Sequence, residues 1–88
     1  MAHYLVAYDL LSHDYDYQYL FDTLNTVGVQ VCDRAWTIAV TQGTAEVRDT
    51  LEALAAPGDR LFVATLEDGS WAAANVSLPT PADLELTG

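Results

Sequence analysis

Tyr4-Leu5-Val6-Ala7-Tyr8-Asp9-Leu10 reads as the first strand of the chain, and its two faces decide the fold. By the two-residue period of a strand, Tyr4, Val6 and Tyr8 share one face and Leu5 and Ala7 the other. Neither face is polar, so the strand is expected at the centre of a sheet whose two faces are both covered. It delivers the carboxylate of Asp9 to its C-terminal end, just before the polar turn Ser12-His13-Asp14. A buried strand that ends on an acid is a common way to present a metal ligand or a general base.

Beyond that turn the period becomes helical. Tyr17, Leu20, Phe21, Leu24 and Val27 form one apolar stripe, which predicts a helix over 15–27 with Gly28 as the residue that ends it. Asp14 and Asp16 stand at its N-terminal end, where the helix dipole favours negative charge. Val29–Cys32 and Ala35–Val40 read as strands about an Asp33-Arg34 turn. Thr44 is the expected N-cap of a second helix over 45–55, which buries Val47, Leu51, Leu54 and Ala55 and pairs Arg48 with Glu52. Pro57-Gly58 stops that helix. Arg60–Leu66 is a fourth strand, Asp68-Gly69 a hairpin turn and Trp71–Val76 a fifth strand.

The order β-α-β-β-α-β is that of a ferredoxin-like α+β domain over residues 1–76, an antiparallel sheet with both helices on one face and an extra C-terminal strand. Residues 77–88 are a tail that either adds an edge strand or stays disordered. The second face of the sheet is expected to be covered by another protomer, which makes the protein a homodimer.

The charge limits what can bind. The 88 residues hold thirteen acids, three arginines and no lysine, for a net charge of −10. Nucleic-acid binding rests on Lys and Arg neutralising phosphates, and Arg34, Arg48 and Arg60 are few and scattered in the sequence. The charge favours solubility and attraction to basic surfaces. One cysteine, Cys32, allows no internal disulfide, no run reaches the length of a membrane span, and no signal peptide is visible. A cytoplasmic protein with no membrane partner is expected. No cofactor is expected either. His3 lies about 20 Å from Asp9 along an extended chain and cannot share a metal with it. His13 has only Asp14 and Asp16 for company, and no His/Cys spacing suits zinc.

The opening Tyr-Leu-Val-Ala-Tyr-Asp-Leu, the glycine after the first helix, the strand beginning at Trp36 and the 59–66 strand leading to Trp71 resemble the Cas2-like superfamily, and its SinR-like branch most of all. The resemblance covers roughly residues 4–76. It implies a homodimer whose sheets pack face to face, with Tyr4, Val6, Tyr8, Trp36 and Trp71 as interface candidates. It also implies that Asp9 lies near the two-fold, where several members of the superfamily are described as metal-dependent nucleases. Where such proteins carry basic residues after the first strand, this chain has Leu11-Ser12-His13-Asp14-Tyr15-Asp16.

Two function classes follow. One is a non-catalytic interaction module, an inhibitor or adaptor of mobile-element or defence character. It would offer a basic protein partner an acidic, tyrosine-bearing surface of Tyr15, Asp16, Tyr19 and Asp22, since tyrosine supplies contact area at little entropic cost. The other is a nuclease in which Asp9 carboxylates hold Mg²⁺ and activate water against a phosphodiester. In the bland reading, Asp9 only hydrogen-bonds its own turn.

Overall fold

The computed structural model describes residues 1–67 and 69–74. Its elements are β1 (Ala2–Asp9), α1 (Gln18–Val27), β2 (Gly28–Cys32), β3 (Ala35–Val40), α2 (Thr44–Glu52) and β4 (Arg60–Leu66). The strands form one antiparallel sheet in the order β2-β3-β1-β4, so β1 is central, as its two apolar faces predict. A four-stranded antiparallel sheet with two helices is an α+β arrangement compatible with a small ferredoxin-like fold.

Register sorts the side chains. Tyr4 faces Ile38 and Thr65, and Val6 faces Trp36 and Val63. This set meets Leu20 and Leu24 of α1 and Val47 and Leu51 of α2 in a single core, so both helices cover the same face. Val6, Leu20 and Leu24 are fully buried, each contributing about 1.5–3 kcal/mol by removal from water. The polar atoms of the core are paired: the Trp36 indole N–H donates to the Tyr8 hydroxyl at 3.0 Å, and the Tyr4 hydroxyl donates to the Gln42 carbonyl.

The opposite face carries His3, Leu5, Ala7 and Asp9 on β1, and Ala35, Thr37 and Ala39 on β3. Arg60, Phe62, Ala64 and Leu66 continue it on β4. No helix covers it among the described residues. Past β4 the chain turns at Glu67–Ser70, with Gly69 at φ +78 and Ser70 bonded back to the Glu67 carbonyl. Trp71–Ala74 then run over this face against Leu5, Ala35, Thr37 and Leu66, bounding a cavity of about 320 Å³. The expected fifth strand is not formed by Trp71–Ala74, because this segment lies on the sheet instead of extending its edge. Asn75 and Val76 of that strand, Asp68 of the hairpin turn and the whole 77–88 tail lie outside the described residues.

Five local expectations are corrected. Helix α1 begins at Gln18, because the Asp16 carboxylate accepts the Gln18 N–H at 2.9 Å and Tyr17 is held in a turn conformation. Gly28 does end that helix, but in extended backbone as the first residue of β2. A glycine is needed there because a Cβ would stand 2.0 Å from the Thr37 carbonyl oxygen. Gly43 caps α2 in place of Thr44, whose hydroxyl pairs with Thr65 at 3.1 Å. Arg48 bonds the adjacent Asp49 at 2.8 Å rather than Glu52. Helix α2 stops at Glu52. Tighter turns at Leu54 and Ala55 then carry the chain to Gly58, at φ +88.

Candidate functional site

The C-terminal end of β1 gathers most of the chain's few positive charges. Asp9 is the register partner of Arg60 at the start of β4. Arg34, in the β2–β3 turn, is brought to the same end because its carbonyl accepts the Tyr8 N–H at 3.1 Å. The Asp9 carboxylate stands 3.5 Å from the Arg34 guanidinium and 3.8 Å from that of Arg60. Two of the three arginines, separated by strand and helix in the sequence, therefore converge on one carboxylate. The three groups border an open groove of about 340 Å³ completed by Ala7, Tyr8, Leu61 and Phe62. Phe62 is 62% exposed.

This geometry changes the chemistry open to Asp9. A divalent cation binding its carboxylate would sit beside two guanidiniums and pay their repulsion, whereas an anion would gain from them. Both arginines are some three-quarters exposed and their contacts to Asp9 are long, so the pairs are loose surface interactions that either side chain can leave. Among the described residues no three His, Cys, Asp or Glu side chains converge in a way that could hold a metal ion. His13 is exposed in the turn after β1, and His3 lies half-buried at the far end of that strand.

On the other side of the β1 terminus, Asp59 forms a clamp. Its carboxylate accepts the Tyr17 hydroxyl at 2.6 Å, the Leu11 N–H at 2.8 Å and the Ala56 N–H at 2.8 Å, while the Ser12 N–H reaches the Tyr17 hydroxyl at 3.3 Å. The clamp ties the β1–α1 loop to the α2–β4 turn. Burial alone would raise the Asp59 pKa, but the three donors outweigh it and hold the carboxyl below its ordinary range. Burial, and then the bond to Asp59, raise the Tyr17 phenol. The apolar stripe puts Tyr17 in the core and says nothing of Asp59, and their partnership spans the two halves of the domain.

The acidic, tyrosine-bearing surface lies on the outer side of α1 and the loop before it. Tyr15, Asp16, Tyr19 and Asp22 are all exposed, Tyr19 by 70%. Tyr19 and Asp22 share a helix face by their three-residue spacing. Tyr15 leans on Tyr17 with ring centroids 5.0 Å apart, and Tyr17 in turn lies 6.4 Å from Phe21.

The interface candidates are divided by the sheet. Tyr4, Val6, Tyr8 and Trp36 point under the helices and are at most 8% exposed, so they form the protomer's own core and have no surface left for a partner. The parity that makes a strand apolar on both sides does not say which side the helices take. Trp71 alone of the five lies on the face that no helix covers among the described residues, half-buried beside Leu5 and Leu66. Among the described residues no helix is long and apolar enough to cross a membrane. No protein-family model matches the chain, and no solved structure matches it.

Proposed function

We propose that this chain is a non-catalytic protein-interaction module of Cas2-like character, which pairs with a second copy through the face of its sheet that no helix covers among the described residues. The observation that carries the reading is that face, where Trp71–Ala74 lie against Leu5 and Thr37 and the Phe62 ring stays exposed on β4 beside Ala7. A chain of net charge −10 repels its own copies, so self-association favours its least negative surface. Arg34 and Arg60 lie at this face and offset Asp9. A two-fold contact is self-complementary, and a patch that carries both signs next to apolar area suits it. The surface of Tyr15, Asp16, Tyr19 and Asp22 remains outward in such a dimer and is suited to a partner rich in Lys and Arg. The metal-dependent nuclease reading is weaker, because the Asp9 carboxylate already faces two guanidiniums and the acidic surface repels a polyphosphate substrate.

Light scattering at micromolar concentration tests the self-association. The expected mass is that of a dimer, and Phe62→Asp, which places a further negative charge on the face, returns it to a monomer with its circular dichroism unchanged. A monomeric parent chain refutes the proposal. A Lys/Arg-rich peptide tests the second surface: binding should weaken with salt and be lost in Tyr19→Ser. Cleavage of labelled RNA or DNA in Mg²⁺ or Mn²⁺ that disappears in Asp9→Asn would establish the nuclease instead.

A further inference from the structure

We infer that the groove at the end of β1 is a binding site for a small organic anion, a carboxylate or phosphate joined to a flat apolar body. Four observations on the described residues converge on it. Two of the chain's three cationic side chains stand at its rim, within 4 Å of the same carboxylate. Both are arginines, whose planar forks match an oxyanion better than a point charge does. Their present partner holds them at 3.5 and 3.8 Å, longer than a good charged hydrogen bond, so an incoming oxyanion at closer range would be the better ligand. The remaining wall holds Ala7 and the exposed Phe62 ring on the open face, with Tyr8 and Leu61 at the strand positions between.

The size and charge of the molecule narrow the class further. A groove of about 340 Å³ is at the lower end for a small-molecule site. A net charge of −10 opposes the approach of a polyanion such as a nucleic acid much more strongly than that of a ligand bearing one or two charges. Asp9 then acts as an internal competitor: it occupies the guanidiniums when the groove is empty and must yield them to the ligand.

That competition gives the site an unusual signature. Removing the acid should strengthen binding, whereas removing an acid that served as a metal ligand or a general base would not. The experiment is a titration of the full chain followed by nuclear magnetic resonance, with benzoate, phenyl phosphate, inorganic phosphate and benzyl alcohol as probes. The groove shares Arg34, Arg60 and Phe62 with the proposed self-association face, so ligand and second copy exclude one another. The titration is run below the concentration at which light scattering detects a dimer, and the failure of one reading does not decide the other. Benzoate or phenyl phosphate should shift the signals of Arg34, Arg60 and Phe62, and whichever binds more tightly identifies the preferred oxyanion. Arg34→Gln and Arg60→Gln should each weaken that binding about tenfold, and Asp9→Asn should tighten it severalfold. Benzyl alcohol binding as tightly as benzoate would overturn the role of the arginines. Inorganic phosphate binding as tightly as phenyl phosphate would overturn that of the apolar wall. Unchanged affinity in Asp9→Asn, or no saturable shift with any probe at millimolar concentration, would overturn the site as a whole.

Discussion

The two faces of β1 are equally apolar in sequence and opposite in use. Tyr4, Val6 and Tyr8 are sealed under two helices, while Leu5 and Ala7, their immediate neighbours, look out from a face that no helix covers among the described residues. The difference comes from what the rest of the chain supplies. The stripes of α1 and α2 contribute Leu20, Leu24, Val47 and Leu51 to one side. The other receives the short Trp71–Ala74 segment, which leaves Phe62 and the Asp9 groove open. One face therefore holds the domain together, and the other keeps Phe62 exposed among the described residues.

Substitutions on the two faces should separate these roles, and the largest effect is expected on the covered one. Leu24→Ala removes a fully buried side chain from between helix and sheet and should cost about 2–5 kcal/mol. A domain of this size has little more than that to lose. Urea unfolding followed by circular dichroism measures the loss as a fall in the transition midpoint. Phe62→Asp on the open face should leave that midpoint within about 0.5 kcal/mol in the monomer, since the ring is mostly solvated there. Equal losses at the two positions would remove the distinction between the faces.

Gly28→Ala should come next, at about 1–3 kcal/mol. The added methyl would meet the Thr37 carbonyl oxygen, a backbone atom fixed by the β2–β3 ladder, with Ile38 close behind. Hydrogen exchange reads this effect as lost protection in β2 and β3, with β1 and β4 keeping theirs. Uniform loss across all four strands would mean that the hairpin is not a separable part of the sheet.

Legibility in the sequence followed the range of the interaction. Strands β3 and β4 are found where the sequence places them, because alternation and flanking turns are local signals. The start of α1 was missed by three residues. Its apolar stripe is local, but Tyr17 is tied to Asp59, forty-two positions away. Gly28 was recognised as a helix terminator for a conformational reason, whereas the constraint is a carbonyl on a neighbouring strand. The arginines are scattered along the chain and meet only in the fold. With β1 between β3 and β4 in the sheet, its end lies beside the start of β4 and the β2–β3 turn, which is what brings Asp9, Arg34 and Arg60 together. Which face of β1 the helices take is not legible in the sequence, since Tyr4-Leu5-Val6-Ala7-Tyr8 suits either.

The smallest effect should come from the two aspartates that flank the end of β1, and it separates a structural acid from a ligand-handling one. Asp59 accepts three close hydrogen bonds that join distant loops, whereas Asp9 meets two guanidiniums at longer range. Because the folded Asp59 carboxyl titrates below its ordinary value near 3.8, the unfolded chain binds more protons through that window. Its contribution to stability is complete above that value and is lost as the pH falls through the lowered one. Asp59→Asn should therefore flatten the acid limb of the stability profile and lower the plateau at neutral pH, because the amide is a poorer acceptor for the Tyr17 hydroxyl. Tyr17→Phe should reproduce part of both changes. Asp9→Asn should leave the neutral plateau within about 0.5 kcal/mol, while altering anion binding. Thermal unfolding monitored between pH 3 and 7 distinguishes these outcomes. An acid limb as steep in Asp59→Asn as in the parent would show that the clamp contributes nothing to acid stability, and that some other carboxylate sets it.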